Sequence, residues 1–259
     1  MITTASSDLA ALRARATGAL GNLLPAHIAR LDWHPDQLAE FQRASLRALL
    51  RHAVEHSPFH AARLAAAGLT PGDIETFEVA DLARLPIMTK TDMMTSFDDL
   101  VTDRRLTRSN VEQQITGSDA QPPLILGDYV CLVSGGSSGL RGIYLQTPEE
   151  YMEFGAACLR RAMAAFIAFG GRPAEGLVVG MVGAASPIHS TGFAASVATG
   201  PPVRFMSAPA TMPTAAIVDR LNAAQPPALL GYASKLGELA REQSAGRLRL
   251  RLLAVTSAA

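Results

Sequence analysis

The stretch from Tyr129 to Thr147, YVCLVSGGSSGLRGIYLQT, decides how the chain is read. Two short runs, Tyr129–Val133 and Ile143–Leu145, flank nine residues, 134–142, made almost wholly of glycine and serine. Aromatic and β-branched side chains suit extended backbone, so the pattern predicts strand, loop, strand. Gly135, Gly136, Gly139 and Gly142 permit conformations that a Cβ forbids, which lets successive N–H groups converge on one point. Ser134, Ser137 and Ser138 add hydroxyl donors, and Arg141 adds a fixed charge with a planar donor fork. These are the parts of a phosphate cradle; composition alone fits a flexible hairpin loop equally well.

Spacing excludes two better-known phosphate loops. A Walker loop ends in Gly-Lys-Ser/Thr, and no lysine occurs between Lys90 and Lys235. A dinucleotide fingerprint opens a helix, whereas this glycine run leads into a second strand-like segment.

Downstream, Thr147-Pro148-Glu149-Glu150 supplies an N-cap, a proline at the first helical position and an acid three residues past the cap, which predicts a helix running to about Gly170. Leu177–Val182 is a continuous apolar run, suited to a strand covered on both faces. Helix 192–198, strand 203–206, helix 215–224, strand 228–230, helix 234–243 and strand 248–255 then alternate. That alternation predicts an α/β protein with a doubly wound, largely parallel sheet. Arg247 to Leu252 alternates strictly between arginine and leucine, as a strand with one solvated face does; an anion site made by the arginines is the alternative.

Upstream, residues 8–21 and 36–56 have helical periodicity, the second through Leu38, Phe41, Leu46, Leu49, Leu50 and Ala53. Ser57-Pro58 ends it, and a short helix over 61–67 stops at Gly68. Residues 101–127 are polar, broken by Gly117, Gly127 and Pro122-Pro123, and read as a linker with little regular structure. The expected division is a helical lead and linker over 1–127 and an α/β subdomain over 128–259. Within the lead, His52-Ala53-Val54-Glu55-His56 fits H-x-x-E-H, the pattern of a zinc hydrolase with two histidine ligands and Glu55 as base. The helix ends one residue later and no third ligand stands out, so surface histidines at a helix end are the plainer account and no metal site is assigned.

The 259 residues are 48% hydrophobic, with 23 basic and 23 acidic side chains. A chain this long buries roughly 70–75% of its unfolded surface. Zero net charge, with no basic cluster interleaved with aromatics, disfavours nucleic acid as a partner. No basic segment followed by an apolar run opens the chain, and the longest apolar runs, 162–171 and 177–188, are too short to span a bilayer. A cytoplasmic protein without membrane contact is expected. Cys131 and Cys158 lack C-x-x-C spacing, so neither a disulfide nor a cysteine-ligated metal is expected.

Ser134 to Gly142, lying between two strands, resembles the Ser/Thr/Gly-rich phosphate loop of the adenylate-forming superfamily, and most closely its phenylacetate-CoA ligase-like branch. Gly136-Ser137-Ser138 stands where Gly-Thr-Thr is usual and Leu140-Arg141 where Lys-Pro is usual; serine keeps the hydroxyls and arginine the charge. The lead is similar to that branch through Ser57-Pro58-Phe59-His60, Asp81-Leu82, Leu85-Pro86 and Thr89-Lys90-Thr91-Asp92, positions that shape the lead. Lys90 is assigned no catalytic role. Pro187-Ile188-His189-Ser190-Thr191-Gly192-Phe193 resembles the Pro-x-His-x-x-Gly motif of the acyl pocket, although a lone histidine is as readily a satisfied structural residue. Gly231-Tyr232-Ala233-Ser234 resembles the segment before the next pocket strand.

The resemblance implies that Ser134, Gly135, Gly136, Ser137, Ser138 and Gly139 hold the phosphates of ATP with Arg141 adding charge. It implies that His189, Gly192, Phe193, Tyr232 and Ser234 shape an acyl pocket. It further implies Mg²⁺, a carboxylic acid of aromatic or small kind, and coenzyme A or a carrier-protein pantetheine as thiol acceptor; a homodimer is compatible with it. It covers residues 40 to the end, and such proteins then continue into motifs for adenine, Mg²⁺ and ribose and a mobile domain bearing a catalytic lysine. The chain therefore reads as an N-terminal portion, an incomplete acyl-CoA-synthetase-like large domain with no catalytic residue identified and weak or absent activity alone. A naturally short relative and a non-catalytic interaction module of the same fold are the alternatives.

Overall fold

The structure, a computed structural model, describes residues 3–116, 122, 124–135 and 139–258. They form two units that are discontinuous in sequence. One gathers the described residues up to Leu31, from 122 to Gly135 and from Tyr144 onward; the other gathers Asp32–Thr116 and 139–Ile143. The first helix thus belongs with the sheet, whereas the sequence reading places a single division at 127–128.

In chain order the helices of the lead are α1 (Thr3–Ala29), α2 (Pro35–His56), α3 (Pro58–Ala66), α4 (Pro71–Glu75), α5 (Lys90–Thr95), α6 (Phe97–Leu100) and α7 (Arg108–Ile115). Strands β1 (Leu124–Ile125), β2 (Tyr129–Val133) and β3 (Ile143–Gln146) form a small sheet in that order. Then come α8 (Pro148–Ala168), β4 (Leu177–Val182), α9 (Ser190–Val197), β5 (Thr199–Gly200), β6 (Val203–Ser207), α10 (Thr214–Ala224), β7 (Ala228–Tyr232), α11 (Ala233–Ser244) and β8 (Ala254–Ala258).

The main sheet of the larger unit is ordered β5-β6-β4-β7-β8. β4 runs parallel to β6 and β7, β7 runs parallel to β8, and two-residue β5 pairs antiparallel on β6. Side chains alternate across it: Leu177 and Val179 enter one core and Val182 the other, as Ala228 and Leu229 do on β7. Helices α1, α8 and α9 cover the first face through Leu12, Leu20, Ala156, Met163 and Phe193, and α10 and α11 cover the second through Ile217, Leu221 and Leu239. Helices on both faces of a largely parallel sheet are the doubly wound arrangement that the alternation predicts.

Helix α8 starts as its sequence requires: Thr147 Oγ1 accepts from the Glu150 amide at 3.2 Å, and the Glu150 carboxylate accepts from the Thr147 amide at 2.7 Å. Helix α1 continues past residue 21 and through Pro25, because Leu24 and His27 extend its buried side. His27 Nε2 lies 2.8 Å from Glu153 on α8. Packing here overrides the local stop signals.

Residues 248–253 are not a strand. The alternation is real, since Leu248 and Leu250 lie in the second core, but side-chain amides replace the ladder. Asn222 Nδ2 donates to Arg247 O at 2.8 Å and its Oδ1 accepts from Arg249 N at 2.9 Å. Gln243 Nε2 donates to Leu250 O at 3.0 Å and its Oε1 accepts from Leu250 N at 3.1 Å. Each amide offers one acceptor and a donor in the same sense as a neighbouring strand, so the backbone is satisfied without one.

The smaller unit packs around Leu50, Leu64, Leu69, Ile74 and Phe77. Buried Ser57 caps α3 by accepting from the His60 amide at 3.3 Å, and donates to Asp99 O at 3.1 Å. Thr89 caps α5 in a reciprocal pair with Asp92. Helix α7 corrects the linker reading of 101–127: Thr107 and Asn110 cap it reciprocally and Val111 is buried, although its other residues are too polar to show a periodic apolar face. His52 and His56 stack with ring centroids 4.5 Å apart on the exposed end of α2. Among the described residues no group of three or more His, Cys, Asp or Glu gathers where it could hold a metal, and no helix is long and apolar enough to cross a membrane.

Replacing Gln243 by methionine keeps its bulk and strands the amide and carbonyl of Leu250. Urea denaturation of Gln243→Met is expected to show a loss of about 1–3 kcal/mol with an unchanged m value.

Candidate functional site

Parallel strands end at one edge, so the turns after β4 and β7 and the last residues of β8 share it. The turn after β4 is packed too closely for side chains at two points. A Cβ on Gly183 would lie 2.6 Å from Thr191 Oγ1, the hydroxyl that accepts from the Ala184 amide at 2.9 Å. A Cβ on Gly192 would lie 2.1 Å from Ser186 O. These glycines hold the segment from Ala184 to His189 down on the first turn of α9.

The same segment meets the end of β2. Val133 N–H donates to Ile188 O at 2.8 Å, and Val133 O lies 3.0 Å from His189 Nδ1. A carbonyl only accepts, so Nδ1 carries a proton and donates to it. Ser134 and Gly135, the first residues of the glycine-serine loop, follow directly.

Beside this junction lies a cavity of about 500 Å³, within the range of small-molecule sites. Val133, Gly135, His189, Tyr232, Thr256 and Ser257 line its strand-end side, and Tyr151 and Cys158 of α8 are part of its wall. Tyr151 Oη donates to Ser190 O at 2.7 Å. Burial pushes this phenol up to about 12, against the lowering effect of its bond to Ser190. Burial likewise pushes the Cys131 thiol up to about 12 and raises that of Cys158, with Arg160 opposing the latter. Neither thiol is a ready nucleophile near neutral pH.

The residues singled out in the sequence fall in several places. His189, Tyr232 and Gly135 line the cavity. Ser134 is half-buried between Val133 and Gly135. Gly192 and Phe193 stand behind the wall; the Phe193 ring is fully buried, edge-on to Tyr151 with centroids 4.6 Å apart. Ser234 is exposed on the first turn of α11. Gly139, at φ +82°, and exposed Arg141 belong to the smaller unit, where Lys90 Nζ donates to Leu140 O at 3.3 Å. Gly136, Ser137 and Ser138 lie outside the described residues.

Sequence reasoning did not single out Tyr151, Cys158, Thr256 or Ser257, which line the cavity, and assigned Lys90 no catalytic role. The helical spacing of Tyr151, Cys158 and Leu159 marks an inward face, yet spacing cannot separate core from cavity wall. Thr256 and Ser257 were hidden by placing the last strand too early. Only the fold brings Lys90 beside Leu140, 50 residues away.

The fold is that of an acyl-CoA ligase over part of such an enzyme's length. Solved structures that it resembles include those of 2-hydroxyisobutyryl-CoA ligase. With the open conformation holding 2-HIB-AMP and CoA, the TM-score is 0.55 at 20% identity, over 84% of this chain and 42% of that one. With the postadenylation state holding 2-HIB-AMP it is 0.55 at 20% identity, over 86% and 43%, and with the thioesterification state 0.53 at 21%, over 86% and 43%. This chain therefore spans less than half the length of those structures. No protein-family model and no curated protein matches the sequence.

Gly192→Ala is expected to lower stability by about 1–3 kcal/mol, because the added methyl must displace the Ser186 carbonyl. Gly18→Ala, where nothing lies within 4 Å of the new Cβ on α1, is the control and is expected to be neutral or stabilising by about 0.5–1 kcal/mol. Thermal melts of the two variants provide the comparison.

Proposed function

We propose that this chain is the phosphate- and acyl-binding portion of an AMP-forming acid–thiol ligase. A carboxylate oxygen attacks the α-phosphorus of ATP and pyrophosphate leaves; a thiol, of coenzyme A or a carrier-protein pantetheine, then attacks the acyl carbon and AMP leaves. The observation that supports this most is the pair of hydrogen bonds on Val133, which sets the start of the glycine-serine loop and His189 at the mouth of one cavity. A loop serving only as a flexible hairpin requires no such anchoring. The acyl-AMP and CoA held by the structures of like fold support the same chemistry.

In this reading the amides and hydroxyls of 134–139 hold the β- and γ-phosphates and Arg141 offsets their charge. Within the smaller unit Lys90 is bonded to Leu140 O, next to Arg141, and would add a second positive charge there. Among the described residues no carboxylate lines the cavity, so a Mg²⁺ ion would arrive with ATP rather than be held by side chains of that wall. When bound, Mg²⁺ supplies charge neutralisation as pyrophosphate departs. His189, held by Val133, and Tyr232 at the end of β7 both line the cavity that would take the acid.

A hydrogen bond to a charged group is worth roughly 1.5–3 kcal/mol, so Arg141→Ala and Lys90→Ala are each expected to weaken ATP binding about ten- to a hundredfold, read from ATP-induced thermal shifts. An unchanged shift in the double variant removes the phosphate cradle. ATP–pyrophosphate exchange with a panel of aryl and small acids is expected to be weak or absent with this chain alone. Robust exchange refutes that expectation, whereas a chain that binds neither ATP nor acid is the non-catalytic module of the same fold.

A further inference from the structure

We infer that His52 and His56 of α2 form a two-armed chelate for a late first-row divalent metal ion, copper(II) ahead of nickel(II) and zinc(II). The site lies wholly in the smaller unit and is independent of the ligase reading.

On a helix, residues four apart stand one above the other on one face, so His52 and His56 present their rings side by side. Both residues are exposed. Among the described residues neither ring makes a hydrogen bond, so each has a nitrogen lone pair to give and no bond is broken when an ion arrives. A metal–nitrogen bond of about 2.0 Å, with roughly 1.1 Å more to the ring centre, puts each centroid about 3.1 Å from a shared ion. Two such arms at a right angle have centroids roughly 4.4 Å apart, and at the tetrahedral angle roughly 5.1 Å. The observed separation is 4.5 Å, that of the right angle. Because both rings are exposed, side-chain rotation can aim a nitrogen of each at the shared point. Right angles are the preference of tetragonal copper(II) and nickel(II), whereas zinc(II) prefers a tetrahedron, and copper(II) also heads the affinity order for imidazole sites.

The local charges favour a cation. Glu55 Oε2 lies 3.9 Å from His56 Nε2, too far for a hydrogen bond and near enough to attract an ion held there. The pair belongs to the end of α2, where backbone carbonyls without helical partners leave a partial negative charge. The guanidinium of Arg51, on the preceding residue, is turned to Glu75 of α4 at 3.6 Å. Among the described residues no third histidine, cysteine or carboxylate completes the set, so water fills the remaining positions. That separates this site from a closed structural metal centre and from a three-ligand hydrolase site. An ion bound here ties down the end of α2 directly before Ser57, which caps α3 and donates to Asp99 O, and so stiffens the α2–α3 corner.

The test is titration of copper(II), nickel(II) and zinc(II) chlorides into the unaltered, untagged chain. Copper(II) is expected to bind with two imidazole nitrogens visible in its pulsed EPR spectrum, and less tightly as the pH falls, since a protonated imidazole has no lone pair to give. His52→Ala and His56→Ala each leave a single arm and are expected to weaken that binding about a hundredfold, because the second contact is no longer intramolecular. Ala48→His in the His56→Ala background rebuilds a pair four residues apart with His52, one turn earlier on exposed positions, and is expected to restore it. His34→Ala, at the exposed start of α2, is expected to leave it unchanged. Circular dichroism checks that each variant keeps its helices, and the EPR spectrum of the unaltered chain decides without any of them. Copper(II) binding that survives the double variant His52→Ala/His56→Ala, a spectrum with fewer than two imidazoles, or zinc(II) displacing copper(II) at equal concentration overturns the inference.

Discussion

A strand that ends inside a protein must find partners for its last amide and carbonyl, since leaving either buried and unpaired costs about 1–3 kcal/mol. Val133 ends β2 while almost wholly buried, and it finds both partners in the turn after β4, at Ile188 O and His189 Nδ1. That one residue fixes where the glycine-serine loop begins and ties His189 to the end of β2. The turn can reach Val133 only because Gly183 and Gly192 let it lie flat on α9, with Thr191 and Ser186 where a Cβ would stand.

Helix α8 supplies the other half of the site. Its capping pair fixes its first turn, and the Tyr151 hydroxyl then ties that turn to Ser190 at the start of α9. Residues of both helices and of the sheet line one largely apolar cavity that His189, Ser190, Thr191, Tyr232, Thr256 and Ser257 also border. An amphipathic cavity of this kind suits a molecule with one polar, reacting end and one inert end.

Much of the larger unit was legible because its signals are local and repeated. The caps at Thr89 and Thr147, the apolar run Leu177–Val182 and the alternation of strand and helix behind it all correspond to elements in the structure. Failures came where a long-range partner decided the outcome. Arg247 to Leu252 has the period of a strand, and Asn222 and Gln243 satisfy its backbone before a strand can. Helix α7 lacks an apolar face and is held by one buried valine and its caps, signals that polarity conceals. Lys90 begins α5, and only folding brings its ammonium to Leu140 O.

The amino-acid sequence by itself determined the class of fold, the glycine-serine loop that follows a strand, and the position of His189 and Tyr232 beside strand ends, because each depends on spacing within a few residues. The tertiary structure alone decided that β2 and the turn after β4 share hydrogen bonds, that α1 packs with the sheet, and that Tyr151, Cys158, Thr256 and Ser257 surround one space. These depend on which distant groups meet to satisfy buried amides and carbonyls and to remove apolar surface from water, and a one-dimensional pattern carries no record of such pairings.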